Sequence, residues 1–130
     1  MADGSSDFKR GLQLRRKLLG SEWVDGAMER ASSHPLGPDF QEMVTEHLFG
    51  RVWAREGAPL KSRIIVAIAI LAYRGQSREL ANYMSVALDN GMDIAELREV
   101  LLQITAYGGF PAGQGAFSVA LDVIDARTTT

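Results

Sequence analysis

The sequence contains no cysteine among its 130 residues. This absence excludes disulfides, thiolate metal sites, iron–sulfur clusters and a thiol nucleophile. Histidine is also scarce, since His34 and His47 are the only two, and no H-E-x-x-H motif is present. Glycine-rich nucleotide-binding motifs of the G-x-G-x-x-G or P-loop type are absent as well. We therefore expect neither a metal site nor a bound cofactor.

The sequence also lacks an excess of one charge and a long hydrophobic run. It has 14 basic and 16 acidic residues, a net charge of -2, and so offers no positive surface for nucleic acid or an anionic membrane. The longest apolar run, Ile64 to Tyr73, is about half of the roughly 20 residues that cross a bilayer, which predicts a buried core segment. The stretch from Met1 to Asp7 lacks the pattern of a secretory signal. These features predict a cytoplasmic protein without nucleic-acid or membrane partners.

The remaining composition is that of a soluble globular protein. Hydrophobic residues make up 46% and charged residues 23% of the chain, close to the averages for such proteins. A chain of 130 residues has the length of one domain and can bury a core. We predict one domain over residues 8–127, with flexible ends at residues 1–7 and 128–130.

Apolar residues recur at helical spacing along most of the chain. The break at His34-Pro35-Leu36-Gly37-Pro38 ends any helix there. The pattern predicts an all-α, single-domain bundle of about six to seven helices. The predicted helices outside the central segment are marked by the following residues: Phe8, Leu12, Leu18 and Leu19; Trp23, Ala27 and Met28; Phe40, Met43, Val44 and Leu48; Leu80, Met84, Ala87 and Leu88; Leu97, Val100, Leu101 and Ile104; Phe117, Ala120, Leu121 and Ile124.

Several helix ends have local signals. Asp39 is a candidate N-cap for the third helix, which Gly50 or Gly57 would end. Asn90-Gly91 is typical of a left-handed C-cap, and Asp93 has Glu96 at the spacing of a capping box.

The central segment from Ser62 to Tyr73 is apolar on every face, and its β-branched residues are compatible with a buried strand. We favour a helix because the segment is longer than most strands, contains three alanines and has helical neighbours on both sides.

Two conspicuous segments are Arg78-Glu79-Leu80-Ala81-Asn82-Tyr83 and Tyr107-Gly108-Gly109-Phe110-Pro111-Ala112. Together with Thr45-Glu46-His47, Gly50 and Trp53, their order and spacing resemble the carboxymuconolactone decarboxylase family of the alkylhydroperoxidase D-like (AhpD-like) superfamily. The resemblance extends from about Leu18 to about Ala126. It implies an all-helical fold whose subunits associate as trimers or hexameric rings, with pockets near subunit contacts. In that family a histidine expected to transfer a proton occupies the position of Tyr83.

The family's reaction removes carbon dioxide from a carboxylated unsaturated lactone. Such a site must hold an anion, exclude water, stabilise an enolate oxygen and deliver one proton to carbon. The resemblance thus implies a cofactor-independent decarboxylase-like lyase, or an isomerase, acting on a small carboxylated lactone, keto acid or related enolisable compound. The alternative is a non-catalytic small-molecule-binding or structural oligomer. Peroxide reduction by related folds needs a Cys-x-x-C pair, which is absent.

Glu79 and Tyr83 are the candidate catalytic residues. They are four positions apart and so share one face of a helix. A tyrosine, with a reference pKa of about 10, is a hydrogen-bond donor at neutral pH, whereas histidine, at about 6.5, moves a proton in either direction. A tyrosine at this position is therefore suited to polarising an enolate oxygen. The alternatives are a packed Tyr83 and a Glu79 paired with Arg78 or Arg74.

Arg63 matches the family's arginine at the start of the central helix, where it would bind a substrate carboxylate through two hydrogen bonds. An ion pair with another residue is the alternative role. Adjacent residues on a helix point about 100° apart, so only one of Glu46 and His47 is expected to line a pocket.

Aromatic residues complete the predicted substrate-binding set, as walls of a dry pocket or as core. These residues are Phe49, Trp53 and Tyr107, with Phe49 at a position where the family commonly has tryptophan. The short basic run Arg15-Arg16-Lys17 predicts only a solvated helix face.

Overall fold

A computed structural model describes residues 5–128. Within this range the chain forms seven α-helices and one π-helix, and it contains no strand. The all-α prediction is confirmed. The elements are α1 (Ser6–Leu19), α2 (Ser21–Ser32), α3 (Gly37–Met43), the π-helix (Val44–Trp53), α4 (Leu60–Tyr73), α5 (Ser77–Asp89), α6 (Ile94–Gly108) and α7 (Phe110–Thr128). Among these residues no helix has both the length and the apolar character that crossing a membrane requires.

The helices form two compact units, of which the first ends at Ala58 and the second begins at Pro59. The helical region extends slightly beyond the predicted domain of residues 8–127, because α1 begins at Ser6 and α7 ends at Thr128. Ser5 caps α1 by accepting a hydrogen bond from the amide of Phe8 at 3.1 Å. The remaining residues of the predicted flexible ends, 1–4 and 129–130, lie outside the described residues.

The first unit is organised by close contact between α1 and the π-helix. A Cβ added to Gly11 would lie 1.9 Å from the carbonyl oxygen of Thr45, and one added to Gly50 would lie 2.0 Å from that of Asp7. Because no side chain fits at either position, only glycine allows the two backbones to come this close. The two glycines therefore determine where the π-helix lies against α1.

The predicted third helix is present, but its ends are not where the sequence placed them. The helix begins at Gly37, so Asp39 lies in its first turn and is not the N-cap. Pro38 is tolerated there because the first turn needs no amide donor. The helical backbone continues through Gly50, which does not end it, and stops at Trp53.

The buried face of this continuous helical segment also differs from the prediction. Phe40 and Met43 are 64% and 62% exposed, whereas Thr45, Phe49, Gly50 and Trp53 are buried. The π-helix pairs residues i and i+5, so the α-helical period that selected Phe40, Met43, Val44 and Leu48 no longer applies after Met43. The change of period explains the exposure of Leu48. Phe40 and Met43 precede the π-helix, and their exposure does not follow from it.

In the second unit, α4 resolves the choice between strand and helix in favour of the helix. Its buried stripe is Ile64, Ile68 and Ala72. The opposite face is not buried in this chain, since Val66, Ile70 and Tyr73 are 57%, 53% and 68% exposed. The prediction of a wholly buried segment is therefore wrong for about half of the helix, because α5, α6 and α7 pack only against part of its circumference.

The predicted C-cap after α5 and the Asp93 N-cap of α6 are confirmed, whereas the carboxylate of Glu96, the second residue of the predicted capping box, pairs with Lys61 at 2.7 Å. Gly91 has a φ of 98° after the end of α5, a conformation that favours glycine. Asp93 caps α6 by accepting a hydrogen bond from the amide of Glu96 at 2.7 Å.

Helix α7 buries small residues rather than the predicted large ones. Its buried positions are Gly113, Ala116, Ala120 and Val123, while Phe117 and Leu121 are exposed. A Cβ on Gly113 would lie 2.0 Å from the Thr105 hydroxyl oxygen. Because α6 approaches α7 closely, only the face of α7 with small side chains can pack against it. Side-chain hydrophobicity alone does not reveal which face this is.

Candidate active site

The π-helix carries four of the predicted site residues, two of them aromatic. Phe49 and Trp53 stack with ring centroids 6.2 Å apart and an interplanar angle of 22°. Both side chains are buried in the first unit. The two rings therefore form an apolar support behind the polar residues of the same helix.

The two polar candidates on the π-helix, Glu46 and His47, contact each other. The Nε2 atom of His47 lies 3.4 Å from Oε1 of Glu46, so the two side chains meet although the residues are adjacent. The Glu46 side chain is the more buried of the two. The histidine and the carboxylate thus form one polar group on the π-helix.

A buried cation behind this helix was missed by the sequence analysis. Arg15 is 5% exposed, and its Nη1 donates to Oε1 of Gln41 at 2.8 Å and to the hydroxyl of Thr45 at 3.2 Å. Its guanidinium carbon is 5.6 Å from the centre of the Phe49 ring, within the range of a cation–π contact. The prediction of a solvated face is therefore wrong for Arg15.

The sequence did contain a signal for this burial. Arg15 falls between Gly11 and Leu18 in the buried series of α1, which starts at Phe8, with the spacing of one helix face. Arg16, on the exposed side, instead donates to Asp25 at 2.7 Å.

The first unit also contains a polar cavity of about 450 Å³, lined by Asp7, Arg10, Gly50, Arg51, Ala54, Arg55 and Glu56. Arg10 donates to the carbonyl of Gly50 at 3.2 Å and pairs with Asp7. The second oxygen of Asp7 lies 3.8 Å from Arg51. Three guanidinium groups and two carboxylates line the cavity, which leaves it with a small positive charge.

In the second unit, α4 and α5 pack against each other. The three residues between them make this pair an antiparallel helical hairpin. Arg63 lies in the first turn of α4 and Tyr83 in the middle of α5, and both are half-buried. Counted from the turn at Gly75, the two positions differ by four residues, which is an offset of about 6 Å along the helix axes.

Glu79 and Tyr83 are one turn apart on α5, as predicted for a helix. The Glu79 side chain is 43% exposed, and one of its carboxylate oxygens lies 3.4 Å from Nε of Arg78. Tyr83 is half-buried beside the buried Met84. The pair therefore combines a partly solvated carboxylate with a more enclosed phenol.

Tyr107, the remaining predicted residue, is 86% exposed at the end of α6. In this single chain it does not form the wall of a pocket. A cleft of about 540 Å³ lies nearby in the second unit, and none of the predicted site residues lines it. Its lining residues are Ala72, Tyr73, Arg74, Gly75, Ser77, Leu80, Gly108, Pro111, Ala112, Gly115 and Ala116.

The shape of the cleft results from small residues between α6 and α7. The many glycines and alanines after Gly108 were the sequence signal that could have predicted this cleft. Across residues 5–128, no three His, Asp or Glu side chains cluster as metal ligands would.

Comparison with known proteins places these elements in a family. The sequence profile of the Carboxymuconolactone decarboxylase family matches residues 38–122. The chain belongs to the carboxymuconolactone decarboxylase family. All eight predicted site residues fall within the matched range, whereas Arg15 precedes it.

Two of the related proteins bear the names of decarboxylases. The chain is 33% identical to the 4-carboxymuconolactone decarboxylase of Acinetobacter baylyi over 116 residues, which are 89% of this chain and 85% of the relative. It is 32% identical to the nitrosuccinic acid decarboxylase npaB of Metarhizium robertsii over 105 residues, 81% of this chain and 72% of the relative. An uncharacterized 15.0 kDa protein of Paracoccus denitrificans is 32% identical over 90 residues, 68% of this chain and 67% of the relative. Family membership and these names therefore support a decarboxylase-like activity of the family.

Proposed function

We propose that this protein is a cofactor-independent, decarboxylase-like lyase that acts by proton transfer on a small carboxylated lactone, keto acid or related enolisable metabolite. The observation that carries the proposal is the placement of Glu79 and Tyr83 one turn apart on α5, on the helix that packs against the one bearing Arg63. The decarboxylase names of two relatives support the reaction class.

In the proposed reaction, Arg63 binds a substrate carboxylate and orients it. The bond from this carboxylate to the ring carbon breaks, carbon dioxide leaves, and the electron pair remains as an enolate conjugated to the carbonyl. The Tyr83 hydroxyl donates a hydrogen bond to the enolate oxygen, and Glu79 orients that hydroxyl. A proton delivered to carbon, through Tyr83 or water, completes the reaction without an oxidant or a metal.

The substrate-binding part of the proposal includes Glu46 and His47, with Phe49 and Trp53 as their apolar support and Tyr107 as an aromatic contact. The meeting of Glu46 and His47 at 3.4 Å supports a role for both in binding a polar group of the substrate.

We further propose that the protein works in the cytoplasm as a homo-oligomer, a trimer or a hexamer. Support comes from apolar side chains that are exposed on α4, α6 and α7, namely Val66, Ile70, Tyr73, Leu102, Tyr107, Phe110, Phe117 and Leu121. Where such side chains lie together on a surface, they are typical of protein–protein contacts. A second copy over this surface would also give the exposed Tyr107 a buried environment.

The experiment is a turnover assay with 4-carboxymuconolactone and nitrosuccinic acid, the compounds in the relatives' names. Further carboxylated lactones and keto acids complete the panel. Carbon dioxide release is measured beside the thermal shift for each compound. Release above the uncatalysed rate supports the lyase. Compounds that raise the melting temperature but are recovered unchanged would support the alternative, a binding protein on the same fold.

A further inference from the structure

Arg15 connects three turns of the helical segment that carries Glu46 and His47. Gln41 lies in α3, whereas Thr45 and Phe49 lie in the π-helix, and Arg15 contacts all three. Thr45 is completely buried, so its hydroxyl has no access to water. The contacts of Arg15 thus cross the point at which the α-helix changes into the π-helix.

The backbone hydrogen bonds of residues 44–53 can follow one of two registers. In a π-helix the carbonyl of residue i pairs with the amide of residue i+5, and in an α-helix with that of residue i+4. Phe49 follows the first pattern, since its carbonyl accepts from the amide of Ala54 at 3.0 Å. A change to the α register would turn residues after Thr45 about the helix axis and would move Gly50 away from α1.

The π register is uncommon over ten residues, so tertiary contacts must stabilise it. Gly11 lies over Thr45 and Gly50 together, because a Cβ there would be 1.9 Å from the Thr45 carbonyl oxygen and 2.7 Å from the Gly50 nitrogen. Arg15 is one turn further along α1 and holds the Thr45 side chain. The backbone contact and the hydrogen bond thus act on the same residue of the π-helix.

We propose that Arg15 is a positioning residue that holds Val44–Trp53 in the π register and thereby sets the positions of Glu46 and His47 for substrate binding. The second half of this inference rests on the proposed function. In the α register Thr45 and Gly50 could not both face α1 as they do now, because residues five apart lie about 140° apart around an α-helix. The segment that carries Glu46 and His47 would then have to turn against α1.

The structural test compares Arg15→Met with Arg16→Met. Methionine retains most of the apolar stem, and replacing a buried ionic group with an apolar one of similar size is often tolerated. Amide hydrogen exchange is measured for Gly50 and Arg51, and a crystal structure of each variant shows the register. We expect exchange at least about tenfold faster and loss of the i+5 pattern in Arg15→Met. Arg16→Met, which loses only the exposed pair with Asp25, should match the wild type.

Two further variants test the inference even if Arg15→Met does not fold. Thr45→Val removes the acceptor but keeps the side-chain shape, and it should accelerate exchange at the same amides. Arg15→Lys keeps a donor and should restore part of the protection. An intact π-helix with wild-type exchange in Arg15→Met and Thr45→Val would overturn the inference.

The functional test uses a substrate identified by the turnover assay. We expect Arg15→Met to raise KM about tenfold and to change kcat less than about threefold, with Arg15→Lys in between. Loss of the π register with unchanged KM would refute the positioning role. If the wild type turns over no compound, the proposed function fails, while the exchange measurements still decide whether Arg15 holds the register.

Discussion

Gly11 in α1 lies directly against the backbone of Thr45 in the π-helix, since a Cβ at Gly11 would be 1.9 Å from the Thr45 carbonyl oxygen. The two residues are far apart in sequence, yet their contact determines the position of the helix that carries Glu46 and His47. The same α1 face contributes Arg15, which bonds to the Thr45 hydroxyl. The structure of the candidate binding residues therefore depends on a helix that contains none of them.

Gly11→Ala should destabilise the protein by at least about 2 kcal/mol, because the new methyl group overlaps backbone atoms that cannot move independently. Gly26→Ala in α2 is the matched control. Its Cβ would meet nothing closer than an Arg30 nitrogen at 3.9 Å, and alanine favours the helix by up to about 1 kcal/mol. Urea unfolding measures both; equal stabilities of the two variants would contradict the close contact.

Tyr83→Phe should lower kcat at least about tenfold on a substrate of the wild type, because the phenol no longer stabilises the enolate. Tyr73→Phe, which changes an exposed tyrosine of the same unit, should retain activity. Tyr83→His introduces the residue that the family usually has there and should preserve proton transfer. Steady-state kinetics of the three variants decide the matter, and an unchanged kcat in Tyr83→Phe would remove Tyr83 from the mechanism.

Glu79→Gln should lower kcat by about tenfold if its carboxylate orients the Tyr83 hydroxyl. Arg78→Ala separates this role from the ion pair, since Arg78 pairs with Glu79 at 3.4 Å and its side chain is 89% exposed. An exposed pair contributes little stability, so Arg78→Ala should keep both activity and melting temperature. A similar loss of activity in both variants would instead assign the effect to the ion pair.

Ile68→Ala should cost about 2–5 kcal/mol of unfolding free energy, because Ile68 is fully buried and the substitution leaves a cavity. Ile70→Ala, two residues later on α4 and 53% exposed, should cost less than about 1 kcal/mol in a monomeric state of the protein. Chemical denaturation at low protein concentration tests the contrast. Equal losses at both positions would contradict the assigned buried face of α4.

Ile70→Lys tests the proposed assembly through the exposed face of α4. A lysine there would place a charge in an apolar contact and should shift the protein towards monomers. Ile70→Val keeps the surface apolar and should preserve the assembly. Sedimentation velocity distinguishes the two results, and an oligomer that persists unchanged in Ile70→Lys would show that this face is not the contact.

Features that depend on neighbouring residues were predictable from the sequence. The Asp93 cap and the positive φ of Gly91 both follow from short-range geometry, and both occur in the structure. The helical choice for α4 was also correct. Such features need only a few consecutive residues, because capping hydrogen bonds and left-handed turns are satisfied locally.

The candidate site was predictable in part. The motif around Glu79 and Tyr83 identified the helix and the one-turn spacing, and the family comparison agrees with the motif. The meeting of Glu46 with His47 was not predicted, because the angle between adjacent helical positions describes only where the side chains start. Long side chains can bend towards each other, as those of Arg78 and Glu79 also do on α5.

The amino-acid sequence by itself determined an all-α fold, the helix ends at Gly91 and Asp93, and family membership, and it supplied the candidate residues for the proposed chemistry. The tertiary structure decided the register of residues 44–53, the burial of Arg15 and the face that α7 turns inward. The physical reason is that close packing at Gly11, Gly50 and Gly113 brings distant backbones and side chains together. The sequence pattern shows which residues are hydrophobic and how they are spaced. Only packing in the folded protein decides which face of a helix is buried.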